Sequence, residues 1–118
     1  MTLTKYERNN TIKVSVTFQS NGVDTDPSGG TADTAKAFIN VIKPDNTYLV
    51  GNELSGATAS RTATGKFDYY FETASTDPLG IYRIVWTAYH DIGTVDNVDY
   101  GYMKINQADA IQIVDVEQ

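Results

Sequence analysis

The sequence predicts an all-β domain, an antiparallel β-sandwich of two sheets and about seven or eight strands. Apolar and polar residues alternate with a period of two along most of the chain, whereas helical periodicity is almost absent. Turn-forming residues separate these runs at short intervals. The length of 118 residues fits one domain. Together these observations favour a single sandwich over a helical or mixed fold.

The first half of the chain contains the clearest alternating run. TIKVSVTFQ at residues 11–19 has its apolar residues on one face, which predicts a half-buried strand. An Asn-Gly turn follows, and residues 24–34 are the longest unpatterned stretch, rich in turn formers. Alternation returns at residues 37–41 and ends at the KPDN turn of residues 43–46.

The second half continues the pattern with more aromatic residues. Residues 47–50 predict a short strand, and residues 57–63 predict a weak, polar edge strand. Two aromatic strands follow at residues 66–72 and 81–89, and a last strand is predicted at residues 98–105. The inward positions of these strands predict a core of Val14, Val16, Phe18, Ile39, Val41, Phe67, Tyr69, Phe71, Tyr82, Ile84 and Trp86.

The C-terminal segment is set apart by a polar break, NQADA, after which IQIVDVEQ resumes apolar alternation. We therefore divide the chain into a sandwich domain, residues 1–105, and a tail strand, residues 106–118. Three interpretations stay open: an edge strand of the same sheet, a strand lent to a neighbouring subunit, or a disordered tail. As an assembly arm, the tail would place Ile111, Ile113 and Val116 in an interface.

Composition excludes several classes of function. The net charge is −6 and the nine basic residues are scattered, which argues against nucleic-acid binding. There is no cysteine for a disulfide or a thiolate metal site. No apolar run is long enough for a membrane helix, and the N-terminus has no signal-peptide pattern. We expect a protein that contacts neither membrane nor nucleic acid and is not exported through a secretion signal.

The run Gly80-Ile81-Tyr82-Arg83-Ile84 resembles the start of strand F in immunoglobulin-like domains. In that family the tyrosine hydroxyl bonds back to the backbone of the preceding corner, and the residue two places on lies in the core. The single tryptophan departs from the family, because antibody domains carry theirs on strand C. The resemblance implies an immunoglobulin-like sandwich with a differently packed core.

The wider order of features resembles small immunoglobulin-like proteins of tailed-phage virions, and also bacterial surface repeats. It comprises TIKVSVTF, an Asp-Pro turn, the KPDN turn, TGKFDYYF and GIYRIVW, and covers residues 11–105. This resemblance implies a non-enzymatic virion protein that folds in the host cytoplasm. It would be a capsid decoration protein or a head-tail or tail component, with other virion proteins and further copies of itself as partners. A tail strand or a sheet edge would be its docking element.

A carbohydrate- or surface-binding module is the alternative function, and it requires exposed aromatic residues. If Phe67 and Tyr82 point inward, Tyr70 and Tyr89 point outward by strand parity. Tyrosine is enriched where partners dock, so both are predicted interface residues. They could equally cover sheet faces within the monomer.

No residue pattern reaches the level of a catalytic motif, so we predict no enzyme and no cofactor. Asp24, Asp26 and Asp33 share a Gly-rich loop and are weak calcium candidates, although aspartate also initiates turns without metal. Asp91, Asp96 and Asp99 form a looser group of the same kind. His90 is the only histidine, and nothing is placed to use it as a base. The carboxylates Glu72 and Asp77 sit near a corner, where polar residues are expected.

Overall fold

The computed structural model describes residues 3–28 and 35–115, and this part of the chain is all-β with no helix. Its strands, in chain order, are β1 Lys5–Glu7, β2 Thr11–Thr17, β3 Gln19–Ser20, β4 Val23–Asp24, β5 Phe38–Ile42, β6 Tyr48–Val50, β7 Ala57–Thr58, β8 Ser60–Ala63, β9 Lys66–Glu72, β10 Gly80–Asp91, β11 Thr94–Val95, β12 Val98–Asp99 and β13 Tyr102–Val114. The predicted all-β class is confirmed.

Two sheets hold most of these strands. The larger sheet has the order β1-β13-β10-β5-β6, with β7 also paired to β5, and the smaller has the order β2-β9-β8. All pairs are antiparallel except β1 with β13, which run parallel. The short pairs β3-β4 and β11-β12 are separate hairpins. The two main sheets therefore supply the faces between which a core can form.

One hydrophobic cluster joins the inner faces of both sheets. The strand β2 alternates exposed and buried residues along its whole length, as its sequence predicts. Every predicted core residue is buried except Tyr69, which packs half-buried against the cluster. The largest buried side chains are Trp86, Tyr82 and Phe67, and the Phe18 and Phe67 rings meet edge to face with centroids 6.0 Å apart. The predicted aromatic core is confirmed.

The predicted polar break before the tail is not a break in the structure. The strand β13 runs without interruption from Tyr102 to Val114, because β10 pairs with it along its full length. Asn106 lies opposite Thr87, and Ile111 lies opposite Tyr82. The strand β13 therefore continues across residue 105, and residues 106–114 belong to the larger sheet.

The corner before β10 holds the tyrosine in the arrangement that its sequence context predicts. The Tyr82 hydroxyl donates a hydrogen bond to the Pro78 carbonyl oxygen at 2.7 Å. Burial, reinforced by nearby carboxylates, raises the pKa of Tyr82 to about 12, so the phenol stays neutral and keeps its proton for this bond. The bond fixes the 74–80 corner against the first core residue of β10.

We expect Tyr82→Phe to lower the free energy of unfolding by about 1–2 kcal/mol, because the Pro78 carbonyl loses its donor in a partly buried site. Urea denaturation followed by circular dichroism measures the change. Tyr70→Phe is the matched control, since Tyr70 is 61% exposed. An equal effect of the two substitutions would contradict a structural role for the Tyr82 hydroxyl.

The strands β10 and β13 form a hairpin that leaves the body of the domain. Their pairing keeps one register from Gly80↔Ile113 to Asp91↔Tyr102, and the β11-β12 pair continues it to Val95↔Val98. Asp96 and Asn97 close it with φ of 53° and 65°, as a two-residue hairpin turn requires. The described chain measures 64 × 27 × 24 Å. We call residues 90–103 the arm, because the last pairing of the hairpin with another described segment is Ser28↔Tyr89.

Candidate functional site

The arm exposes apolar side chains that no other described segment covers. Five large apolar residues of the arm are each at least 50% exposed: Ile92, Val95, Val98, Tyr100 and Met103. Val95 and Val98 lie directly opposite each other beside the turn. Single exposed apolar residues are ordinary on protein surfaces, but their concentration in one protruding element makes the arm the candidate site.

Two aspartates brace the arm on either side of its turn. The Asp91 carboxylate accepts the Gly93 amide at 2.9 Å, and the Asp99 carboxylate accepts the Gly101 amide at 2.8 Å. Both glycines have positive φ, 93° and 73°, which a residue with a side chain rarely adopts. These bonds account for two members of the looser aspartate group as turn-stabilising residues.

The arm is acidic as well as apolar. No lysine or arginine occurs between Arg83 and Lys104, whereas Asp91, Asp96 and Asp99 all lie in this interval. His90, at the base of the arm, is exposed and lies opposite Met103. A surface complementary to the arm therefore needs an apolar floor and a basic rim.

A cavity of about 230 Å³ lies on the outer face of the larger sheet, beneath the loop of residues 51–56. Phe38, Asn40, Thr87 and Tyr89 contribute to its floor, and Lys104 and the loop contribute to its rim. The loop is held by Asn52, whose side-chain oxygen accepts the amides of Leu54 and Ser55 at 2.8 and 2.9 Å. This is a preformed concave surface with two aromatic rings.

The Asn40 side chain limits what this cavity can bind. Its Oδ1 atom is buried and has no hydrogen-bond partner in the described chain. The oxygen lies so close to Gly51 that a side chain at that position would collide with it. Because this oxygen is buried, a ligand in the cavity cannot reach it without a rearrangement of the residues around it.

The calcium candidates do not share a site. The Asp26 carboxylate holds Arg61 through two bonds of 3.0 Å and accepts the Gly65 amide at 2.7 Å. These hydrogen bonds, that of Arg61 first, keep the pKa of Asp26 below its usual value. Asp24 accepts the Gln19 side-chain amide and lies 3.8 Å from Lys66. Each carboxylate is thus paired with its own cation, and Asp33 lies outside the described residues.

The predicted interface residues divide into three groups. Tyr70 is exposed on the outer face of the smaller sheet, and Tyr89 is half-buried in the cavity described above. Ile111 and Ile113 are buried in the core, which corrects their prediction as contacts with a neighbouring subunit. The reason is their alternation in register with β10, which turns both toward the smaller sheet. Val116 lies outside the described residues.

The arm is the feature that sequence reasoning missed. Its signal is the segment DIGTVDNVDYG, in which a D-x-G triplet stands on each side of Val-Asp-Asn-Val. A two-residue turn between apolar residues predicts a hairpin, and each triplet supplies an aspartate to cap its own glycine. The predicted turn at residues 90–93 and last strand at residues 98–105 divide a structure that is continuous.

Comparison with protein-family models, with curated proteins and with solved structures gives no match. The described residues contain no group of three or more His, Asp or Glu side chains that could hold a metal ion. Nor does a helix long and apolar enough to cross a bilayer occur among them. The function is therefore inferred from the surfaces of this chain.

Proposed function

We propose that the chain is an immunoglobulin-like sandwich that acts as a non-enzymatic structural protein of a virus particle. The fold assignment draws on the pairing order β2-β9-β8 against β1-β13-β10-β5-β6, on the parallel β1-β13 pair and on the Tyr82 corner bond. A capsid decoration protein or a head-tail or tail component fits the resemblance noted above. The protein folds in the host cytoplasm and resides in the virion.

The arm is the observation that carries this proposal. The exposed apolar residues of this hairpin are not part of the described hydrophobic core, so they do not contribute to the packing of the monomer. Inserted into a recess of a neighbouring subunit, the same residues become buried and stabilise the contact by the hydrophobic effect. The function is passive: the sandwich positions the arm, and the arm adds buried area between subunits.

Mass spectrometry of density-purified virus particles from the host that carries the encoding genome tests this proposal. We expect peptides of this chain at a fixed ratio to the major capsid protein. A ratio near one indicates a decoration protein, and a few copies per particle indicate a neck or tail component. Absence from particles, with the protein present in the lysate, would overturn the virion assignment.

The role of the arm is tested on particles that lack the protein. We expect the purified wild-type chain to rebind them and Val95→Ser/Val98→Ser to rebind at least tenfold more weakly, because the contact loses two apolar side chains. Val23→Ser is the matched control, since Val23 is 66% exposed on a different hairpin. Equal binding by all three proteins would exclude the arm as the docking element.

Carbohydrate or surface binding remains the second candidate, favoured by the cavity beneath the 51–56 loop. Sugar rings stack on aromatic side chains, and Phe38 and Tyr89 both line this cavity. A glycan array decides the matter with Tyr89→Ala as the test variant and Tyr70→Ala as the control. Binding that is lost only with Tyr89→Ala supports this function, and a wild-type array without signal removes it.

A further inference from the structure

The strand β13 has an open edge along most of its length. On one side it pairs with β10 throughout. On the other side β1 covers only Gln112–Val114, through the register Lys5↔Gln112 to Glu7↔Val114. No strand of the described chain pairs with the rest of β13 on that side. Unpaired strand edges are templates for the addition of a further strand.

The hydrogen bonds to the N-terminal segment show which backbone groups face this edge. The Gln112 amide donates to the Thr4 carbonyl at 3.0 Å, and the Val114 carbonyl accepts the Arg8 amide at 2.8 Å. Backbone hydrogen-bonding groups point to alternate sides along a strand. The amides and carbonyls of the even-numbered residues of β13 therefore point away from β10. Lys104, Asn106 and Ala108 therefore direct their amides and carbonyls outward.

One end of the edge is blocked, and the remainder is not. The Asp109 carboxylate accepts the Ala110 amide at 2.8 Å, which removes that donor from any added strand. Within the described chain, the amides of Lys104, Asn106 and Ala108 have no hydrogen-bond acceptor. The available edge therefore spans residues 104–108, which is close to the length of an average strand.

The smaller sheet is open on the same side of the domain. Its outer strand β2 faces β13 across a cavity of about 200 Å³, whose lining includes Val16, Trp86 and Ala108. The Gln107 side-chain amide donates across this gap to the Thr17 carbonyl at 3.5 Å. A strand added to β13 would cover this gap.

We propose that the edge of β13 pairs with the same edge of a second copy, antiparallel and centred on Asn106. Lys104 then lies opposite Ala108 of the second copy, and each outward-facing pair exchanges two backbone hydrogen bonds. The charge of the edge favours this partner: residues 102–108 contain one lysine and no carboxylate, in a chain with 15 acidic residues. The pairing therefore does not place like charges opposite each other within the paired segment. The resulting contact is that of a closed dimer with two-fold symmetry. The inference specifies one partner within the proposed structural role.

Ala108→Pro tests the pairing. It removes an outward amide but no bond to β10, and proline is tolerated on edge strands whose amide faces solvent. We expect sedimentation velocity over a concentration series to show a wild-type dimer and at least a tenfold weaker dimer for Ala108→Pro. Ala108→Ser, which keeps the amide, should dimerise as the wild type does. Circular dichroism melting checks that all three proteins fold. A further control is Val85→Ser, on the outer face of β10. It tests whether a change to the sheet face alone dissociates the dimer.

A wild-type chain that stays monomeric at every concentration would overturn the pairing, as would a folded Ala108→Pro protein that dimerises normally. Particle association separates this result from the proposed function. A monomeric chain that is still found in virus particles refutes only the two-fold contact. If, in addition, Ala108→Pro fails to rebind particles, the occupant of the edge is a strand of another virion protein and not a second copy.

Discussion

Trp86→Ala should lower the free energy of unfolding by about 3–5 kcal/mol, the largest effect expected for a single substitution in this chain. Trp86 is 1% exposed and heads the fully buried side chains in volume. It lies between Ile39 on β5 and Gln107 on β13, in the middle of the larger sheet. Truncation removes its contacts with the smaller sheet and leaves a cavity that the paired strands cannot collapse to fill.

Urea denaturation measured by circular dichroism gives the comparison, since the substitution removes the only tryptophan fluorophore. Leu54→Ala is the control, because Leu54 is 92% exposed and its loss should change stability by less than about 0.5 kcal/mol. A Trp86→Ala protein as stable as this control would show that the two sheets do not share one core.

The second large effect is expected at the corner before β10. The Asp77 carboxylate is buried, accepts the Ala74 amide at 2.7 Å and lies 2.9 Å from the Lys43 ammonium. It links this corner to the turn after β5. Asp77→Ala should cost about 2–4 kcal/mol, because the amide loses its acceptor and a largely buried lysine loses its counter-charge.

The contribution of Asp77 to the free energy of unfolding should also depend on pH. Burial raises its pKa, but the Ala74 amide and Lys43 lower it more, so the pKa lies below the ordinary 3.8. A group whose pKa is lowered by folding stabilises the native state above its unfolded pKa and loses that contribution as pH falls through the folded value. The stability difference between wild type and Asp77→Ala should therefore be full at pH 6 and should shrink below about pH 4.

Denaturation series at several pH values measure this difference. Asp96→Asn, at the exposed end of the arm, controls for the loss of one negative charge. A stability difference between wild type and Asp77→Ala that stays constant down to pH 2 would contradict the ion pair as its source. A difference that grows on acidification would contradict the predicted direction of the pH dependence.

The buried faces of this fold could be predicted because burial imposes a period of two. On β2 the inner residues are apolar and the outer ones polar, and β9 follows the same period except at the outward Tyr70, so the register is already visible in the sequence. The tyrosine corner was equally predictable, since the run Gly80-Ile81-Tyr82-Arg83-Ile84 has the spacing that resembles the start of strand F in immunoglobulin-like domains. Local pattern carries this information because each such strand packs against one core on one side.

The middle of β13 could not be predicted, because its side chains are not what holds it in place. Asn106, Gln107 and Asp109 resemble a loop in composition, yet backbone bonds to β10 continue through them. The arm was not predicted for the same reason, because its apolar residues contact no core. The interaction surfaces proposed here thus lie where sequence periodicity stops and backbone pairing alone decides the structure.

The parallel pair of β1 and β13 has a consequence for the order of folding. Lys5 finds its partner only at Gln112, so this pairing spans nearly the whole described chain. During synthesis β1 has no partner until β13 has left the ribosome. The β10-β13 hairpin, in contrast, forms locally within residues 80–114. Closure of a loop this long is slow compared with hairpin formation, so docking of β1 is expected as the last step in building the larger sheet.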